Sequence, residues 1–134
     1  MALDLLRSRE LPPFVASSEA GVQSVMTAHQ RVPELTGAEP ATVSHAALTG
    51  LLCDELGFTS VIVTDALEMK GASGAVGVPE VAVRSLAASV DLLCLGAQVD
   101  AAQAEATAAG IAEAVSSGRL PLARAEEAAA GRPT

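Results

Sequence analysis

The sequence predicts an α/β fold with a parallel sheet. Three features carry that expectation. Short apolar runs occur at residues 22–27 (VQSVMT), 60–64 (SVIVT) and 90–95 (VDLLCL). Helical apolar spacing fills the stretches between and after them. The strand starts fall roughly 30–40 residues apart, the spacing of successive βα units.

Each element has its own local reason. The second and third runs are almost continuously apolar and are bounded by polar residues or glycine, as in strands covered on both faces. Ser44 can cap a helix through HAALTGLLCDELG, with Leu48, Leu51, Leu52 and Leu56 at 3–4 spacing and Gly57 as its stop. Pro79 suits the first turn of a helix through VPEVAVRSLAAS, with Val83 and Leu86 on one face. Asp100 can cap an Ala-rich helix through Val115 that ends before Gly118, and a short helix follows Pro121. Arg132, Pro133 and Thr134 read as a frayed end. Two architectures fit these units: a small open α/β sheet, or part of a (β/α)8 barrel. A whole barrel needs about 250 residues, and the chain has 134.

Composition bounds the function. Half of the residues are hydrophobic, but Ala and Val dominate, and Phe14 and Phe58 are the only aromatics. Small side chains bury little area each, at roughly 25 cal/mol per Å², so only modest stability is expected. The formal net charge of −8 argues against a nucleic-acid partner, which needs clustered Lys and Arg, and against an anionic membrane surface. No run reaches the roughly 18 apolar residues of a membrane span. The N-terminal MALDLLRSREL lacks the apolar stretch of a secretory signal, and a cytoplasmic location is the expectation. Cys53 and Cys94 form no metal or disulfide pattern, and Cys94, inside VDLLCLG, is expected to be a buried structural thiol.

Chemistry in either architecture belongs at the C-terminal ends of the strands. His29, after VMTA, and Asp65, after VIVT, are the titratable groups there. From placement alone, Asp65 is either a functional carboxylate or a turn aspartate. His29 is either a site residue or a histidine supporting its loop. His45, Asp54 and Glu55 read as exposed helix residues, and Asp91 as structural, at the opposite end of its strand. The segment GASGAVG lacks a phosphate-loop pattern and reads as a flexible βα loop. There is no G-x-S-x-G serine elbow.

Asp65 stands in VIVTDALEMKGAS, which resembles the nucleophile motif of glycoside hydrolase family 3: a strand ending in Ser/Thr-Asp, with methionine four residues on. LPPFVASSEAGVQSVMTAH, PATVSHAALTGLLCDELGF and VPEVAVRSLAASVDLLCLG resemble further segments of that family, in the same order. The bacterial β-N-acetylglucosaminidase (β-N-acetylhexosaminidase) branch fits best. The resemblance covers roughly residues 10–97.

The resemblance implies the barrel alternative: a partial (β/α)8 TIM barrel of about three βα units, equivalent to strands six to eight. Residues 1–134 then form one truncated catalytic domain, with a leader at 1–10, motif-bearing units at 11–97 and terminal helices at 98–134. It implies a retaining hydrolase of terminal β-linked N-acetylglucosamine, as in cell-wall fragments. Asp65 would be the nucleophile, His29 and Met69 would line the sugar pocket, and no metal or organic cofactor is implied.

The chain also departs from the family pattern. The family's acid/base histidine and its lysine–histidine sugar-binding motif precede the LPPF-like segment, and neither is present. Cys53 stands where the family usually has arginine, and Ser89 where it usually has glycine. The alternative function is therefore an inactive remnant or a partner-binding module. A complementing N-terminal half, or self-association through open sheet edges, is the expected partnership. Val25, Ile62 and Leu93 lie in the apolar runs, and some of them are expected to become exposed.

Overall fold

The computed structural model describes residues 2–74 and 76–132. Two parallel strands, β1 (Ser24–Met26) and β2 (Val61–Val63), pair in the register Val25 with Ile62 and Met26 with Val63. The third apolar run lies parallel on the far side of β2. It forms a single bridge, Val63 to Leu92, rather than the full strand expected. Its ladder is interrupted because the Thr64 side chain takes a backbone partner: Cys94 N–H donates to Thr64 Oγ1 at 2.9 Å. The chain is thus an α/β segment with a small parallel sheet.

Helices cover one face of that sheet. Pro79 sits in the first turn of the helix Val78–Ala87, where a missing N–H costs nothing. That helix is central to the packing. Val81 and Ala82 meet Leu67 and Val43 on one side, and Val83 and Leu86 meet Ala114 and Leu120 on another. Ile62, fully buried, joins Leu48, Phe58 and Val90, and burial of such a side chain contributes roughly 1.5–3 kcal/mol. Ser44 caps the helix that follows it, its Oγ accepting from Ala47 N–H at 3.3 Å. Residues Ala46–Glu55 are wound with the wider π-helical pitch, so that Leu56 N–H reaches back five residues to the Leu51 carbonyl. Asp100 and Gln103 form a reciprocal capping box on the helix Ala101–Ser116.

The opposite face of the sheet is open, and this corrects two expectations. Val25, Ile62 and Leu93 point toward the helices and are packed. The apolar groups without cover are Met26 and Leu92, at 59% and 58% exposure. Cys94 is exposed rather than buried. The reason is pleating: alternate residues of a strand face opposite ways. An apolar run is buried on both faces only where a layer lies on each, and only the helical layer is present among the described residues.

Arg132 corrects a third expectation. It is not frayed. Its guanidinium reaches the base of the sheet, where Nε forms an ion pair with Asp91 Oδ2 at 2.8 Å and Nη2 donates to the Ser89 carbonyl at 2.9 Å. Nη1 lies 3.2 Å from Cys53 Sγ. Burial opposes the charge, but the Cys53 and Asp91 contacts outweigh it and hold the Arg132 pKa above its ordinary value. Of the two departures, the Cys53 side chain meets this guanidinium, whereas Ser89 meets it only through its backbone carbonyl. Ser89 itself has φ 93°, a left-handed conformation that favours glycine. Its hydroxyl pairs with Thr49 Oγ1 at 2.7 Å. Pro133 and Thr134 lie outside the described residues.

Candidate active site

Because β1 and β2 run parallel and in register, their C-terminal ends emerge at one edge of the sheet. His29 follows β1 there, and Asp65 follows β2. The two loops touch: His29 Nε2 lies 3.0 Å from the Ala66 carbonyl oxygen. Asp65 is half-buried, and its Oδ1 accepts from Ala66 N–H at 2.7 Å. Met69, at the far end of the same loop, is 47% exposed.

The Asp65 loop is braced on its other side by residues 94–98. Leu67 N–H donates to the Cys94 carbonyl at 2.9 Å, Glu68 N–H to the Leu95 carbonyl at 3.2 Å, and Gln98 N–H to Glu68 Oε2 at 3.0 Å. Gly96 makes this approach feasible. A Cβ there would lie 2.3 Å from the Glu68 carboxyl carbon, and its φ of +107° also suits glycine.

His29 makes a second contact, through Nδ1, with Thr42 Oγ1 at 2.8 Å. Thr42 is fully buried, and its hydroxyl also lies 2.9 Å from Thr27 Oγ1 and 3.1 Å from the Ala28 carbonyl. Thr42, Glu68 and Gly96 were not singled out from the sequence. No local pattern marks them, since their roles depend on contacts with segments 13 to 30 residues away. The segment after Met69 begins as a helical turn, Lys70–Ser73, rather than a loop throughout. Ala75 of GASGAVG lies outside the described residues.

An apolar cavity of about 320 Å³ lies beside β1, with Leu11, Phe14, Met26, Leu35 and Leu48 in its wall. A second cavity, between the N-terminal helices and Glu55, includes Arg7 and Val15. Asp65, His29 and Met69 line neither. Asp65 instead stands at the rim of the open sheet face. Among the described residues no three His, Cys, Asp or Glu side chains are grouped to hold a metal ion. No helix among them is long and apolar enough to cross a membrane.

A carboxylate at the carboxyl edge of a parallel sheet, beside a histidine from the neighbouring strand, is the placement at which α/β enzymes carry their chemistry. The comparisons name the family. The model of the glycosyl hydrolase family 3 N terminal domain matches residues 1–131, and the chain belongs to that family. A β-hexosaminidase of Chromobacterium violaceum is 38% identical over 95 residues, which are 71% of this chain and 26% of that protein. One from Stenotrophomonas maltophilia is 39% identical over 103 residues, 75% of this chain and 30% of the relative. The solved family 3 β-N-acetylglucosaminidase of Paenibacillus sp. superposes with a TM-score of 0.91 at 36% identity, covering 97% of this chain and 24% of its own. The chain thus spans less than a third of the length of these relatives.

Proposed function

We propose that Asp65 is the nucleophile of a retaining hydrolysis of terminal β-linked N-acetylglucosamine, with His29 and Met69 beside the sugar. The observation that supports this most directly is the immobilised Asp65 loop at the strand edge, held by Ala66, Leu67 and Glu68 contacts. An Asp65 oxygen attacks the anomeric carbon as the bond to the leaving oxygen breaks, which gives a glycosyl ester. Water then attacks that carbon from the opposite face, and the carboxylate leaves with configuration retained.

A fluorinated N-acetylglucosaminyl fluoride tests the first step, because fluoride departs without strong acid assistance. We expect mass spectrometry of the digested chain to find one glycosylated peptide, spanning Asp65, and Asp65→Asn to abolish it. Labelling elsewhere, or labelling that persists in Asp65→Asn, overturns the assignment.

The remaining barrel strands are proposed to come from a complementing polypeptide that pairs along the free edge of β1. A second reading is a chain that keeps the scaffold but not turnover; the position of Asp65 on an open face, outside both cavities, favours it. Without a complement, the face bearing Met26, Val63 and Leu92 drives self-association. Sedimentation velocity is expected to show concentration-dependent oligomers, reduced in the double variant Met26→Gln, Leu92→Gln. A wild-type monomer at all concentrations contradicts this expectation.

A further inference from the structure

We infer that His29 is a positioning residue for Asp65, acting through the backbone of Ala66, with Thr42 setting its tautomer. The inference rests on the proposal that Asp65 is the nucleophile.

The proton logic begins at Ala66. A carbonyl oxygen only accepts, so His29 Nε2, at 3.0 Å, carries a proton and donates. In the neutral ring Nδ1 is then a lone-pair acceptor, and the single Thr42 hydroxyl proton, which faces both Nδ1 at 2.8 Å and the Ala28 carbonyl at 3.1 Å, goes to the nearer nitrogen. Thr42 Oγ1 in turn accepts from the Thr27 hydroxyl at 2.9 Å. Thr42 and Thr27 are both buried, so water competes little for these bonds.

Ala66 is consequently held at both of its peptide groups. Its carbonyl accepts from His29, and its N–H donates to Asp65 Oδ1 at 2.7 Å. Rotation of either peptide group breaks a bond that fixes the carboxylate. Glycine at position 71 lets its segment pack closely on the His29 loop, since a Cβ there would lie only 3.2 Å from His29 Cβ. With both ring nitrogens engaged by the protein, His29 orients the nucleophile rather than hydrogen-bonding the sugar.

The test uses the full ¹⁵N-labelled chain. Long-range imidazole correlations are expected to show the Nε2–H tautomer of His29. In His29→Leu the Ala66 amide proton is expected to move upfield and to exchange about tenfold faster, the loss of roughly one hydrogen bond. His29→Gln, whose side-chain N–H can reach the Nε2 position, is expected to restore both signals. Glycosyl labelling of Asp65 is expected to slow about tenfold in His29→Leu, beyond any change in sugar affinity, and to recover in His29→Gln. An Nδ1–H tautomer overturns the inference. So does a folded His29→Leu chain with an unmoved Ala66 amide. If His29→Leu does not fold, the wild-type tautomer and its shift in Thr42→Val decide the matter. Absence of labelling in every variant, with the Ala66 response intact, counts against Asp65 as nucleophile and not against the hold of His29 on Ala66.

Discussion

Asp91→Ala is expected to abolish cooperative folding. The Asp91 carboxylate is 2% exposed and joins three partners at the base of the sheet. Arg124 Nη2 meets Oδ1 at 2.6 Å, Arg132 Nε meets Oδ2 at 2.8 Å, and Ile62 N–H donates to Oδ2 at 3.0 Å. Both arginines are only 12% exposed, and Arg124 also donates to the Leu86 and Val90 carbonyls. Removing the carboxylate leaves two guanidinium groups poorly hydrated and without this shared counter-ion. Breaking a buried pair in this way costs about 3–5 kcal/mol, against about 5–15 kcal/mol of total stability for a typical domain. A chain with a small-residue core and an open sheet face has little margin above that loss. Circular dichroism melting is the check. Asp91→Asn, which keeps an acceptor for Ile62 N–H but loses the charge, is expected to fall between wild type and Asp91→Ala. A melt for Asp91→Ala within a few degrees of wild type would show that the arginines find other partners.

The second large effect concerns the leaving group. General acid catalysis typically contributes 10²- to 10⁴-fold, and the sequence contains no counterpart of the family's acid/base segment. We expect the isolated chain to react with a glycosyl fluoride yet to leave an alkyl β-N-acetylglucosaminide intact under the same conditions. Addition of a polypeptide carrying the missing strands is expected to raise alkyl glycoside cleavage by at least that 10²- to 10⁴-fold, with little effect of the same size on the fluoride. Product assays on both substrates check this. Cleavage of the alkyl glycoside by the isolated chain that disappears in Asp65→Asn would mean that another group in this chain donates the proton.

Elements whose cause is local were legible in the sequence. Pro79, Gly57 and the Asp100 cap act within a few residues of themselves, and each marks the helix boundary it foretold. Asp65 and His29 were legible as a pair because parallel strands bring their C-terminal ends together. Burial was less legible. Leu92 and Cys94 read as core residues, but cover depends on a second layer that strand composition does not reveal. The role of Arg132 was hidden for a related reason. Its partners Cys53 and Asp91 lie 79 and 41 positions earlier, and nothing near residue 132 signals them. The departure at Cys53 was visible, whereas the guanidinium that meets it was not.

The Arg132 contact also bears on how the chain is made. Synthesis proceeds from the N-terminus at about 5–20 residues per second, so Asp91 leaves the ribosome well before Arg124 and Arg132 do. Until they emerge, the carboxylate cannot be buried at low cost, and the base of the sheet stays hydrated. The nascent segment therefore cannot complete its core strand by strand. It waits for the helix Leu122–Ala130 and for Arg132. During that interval, chaperone binding and misassembly compete with folding.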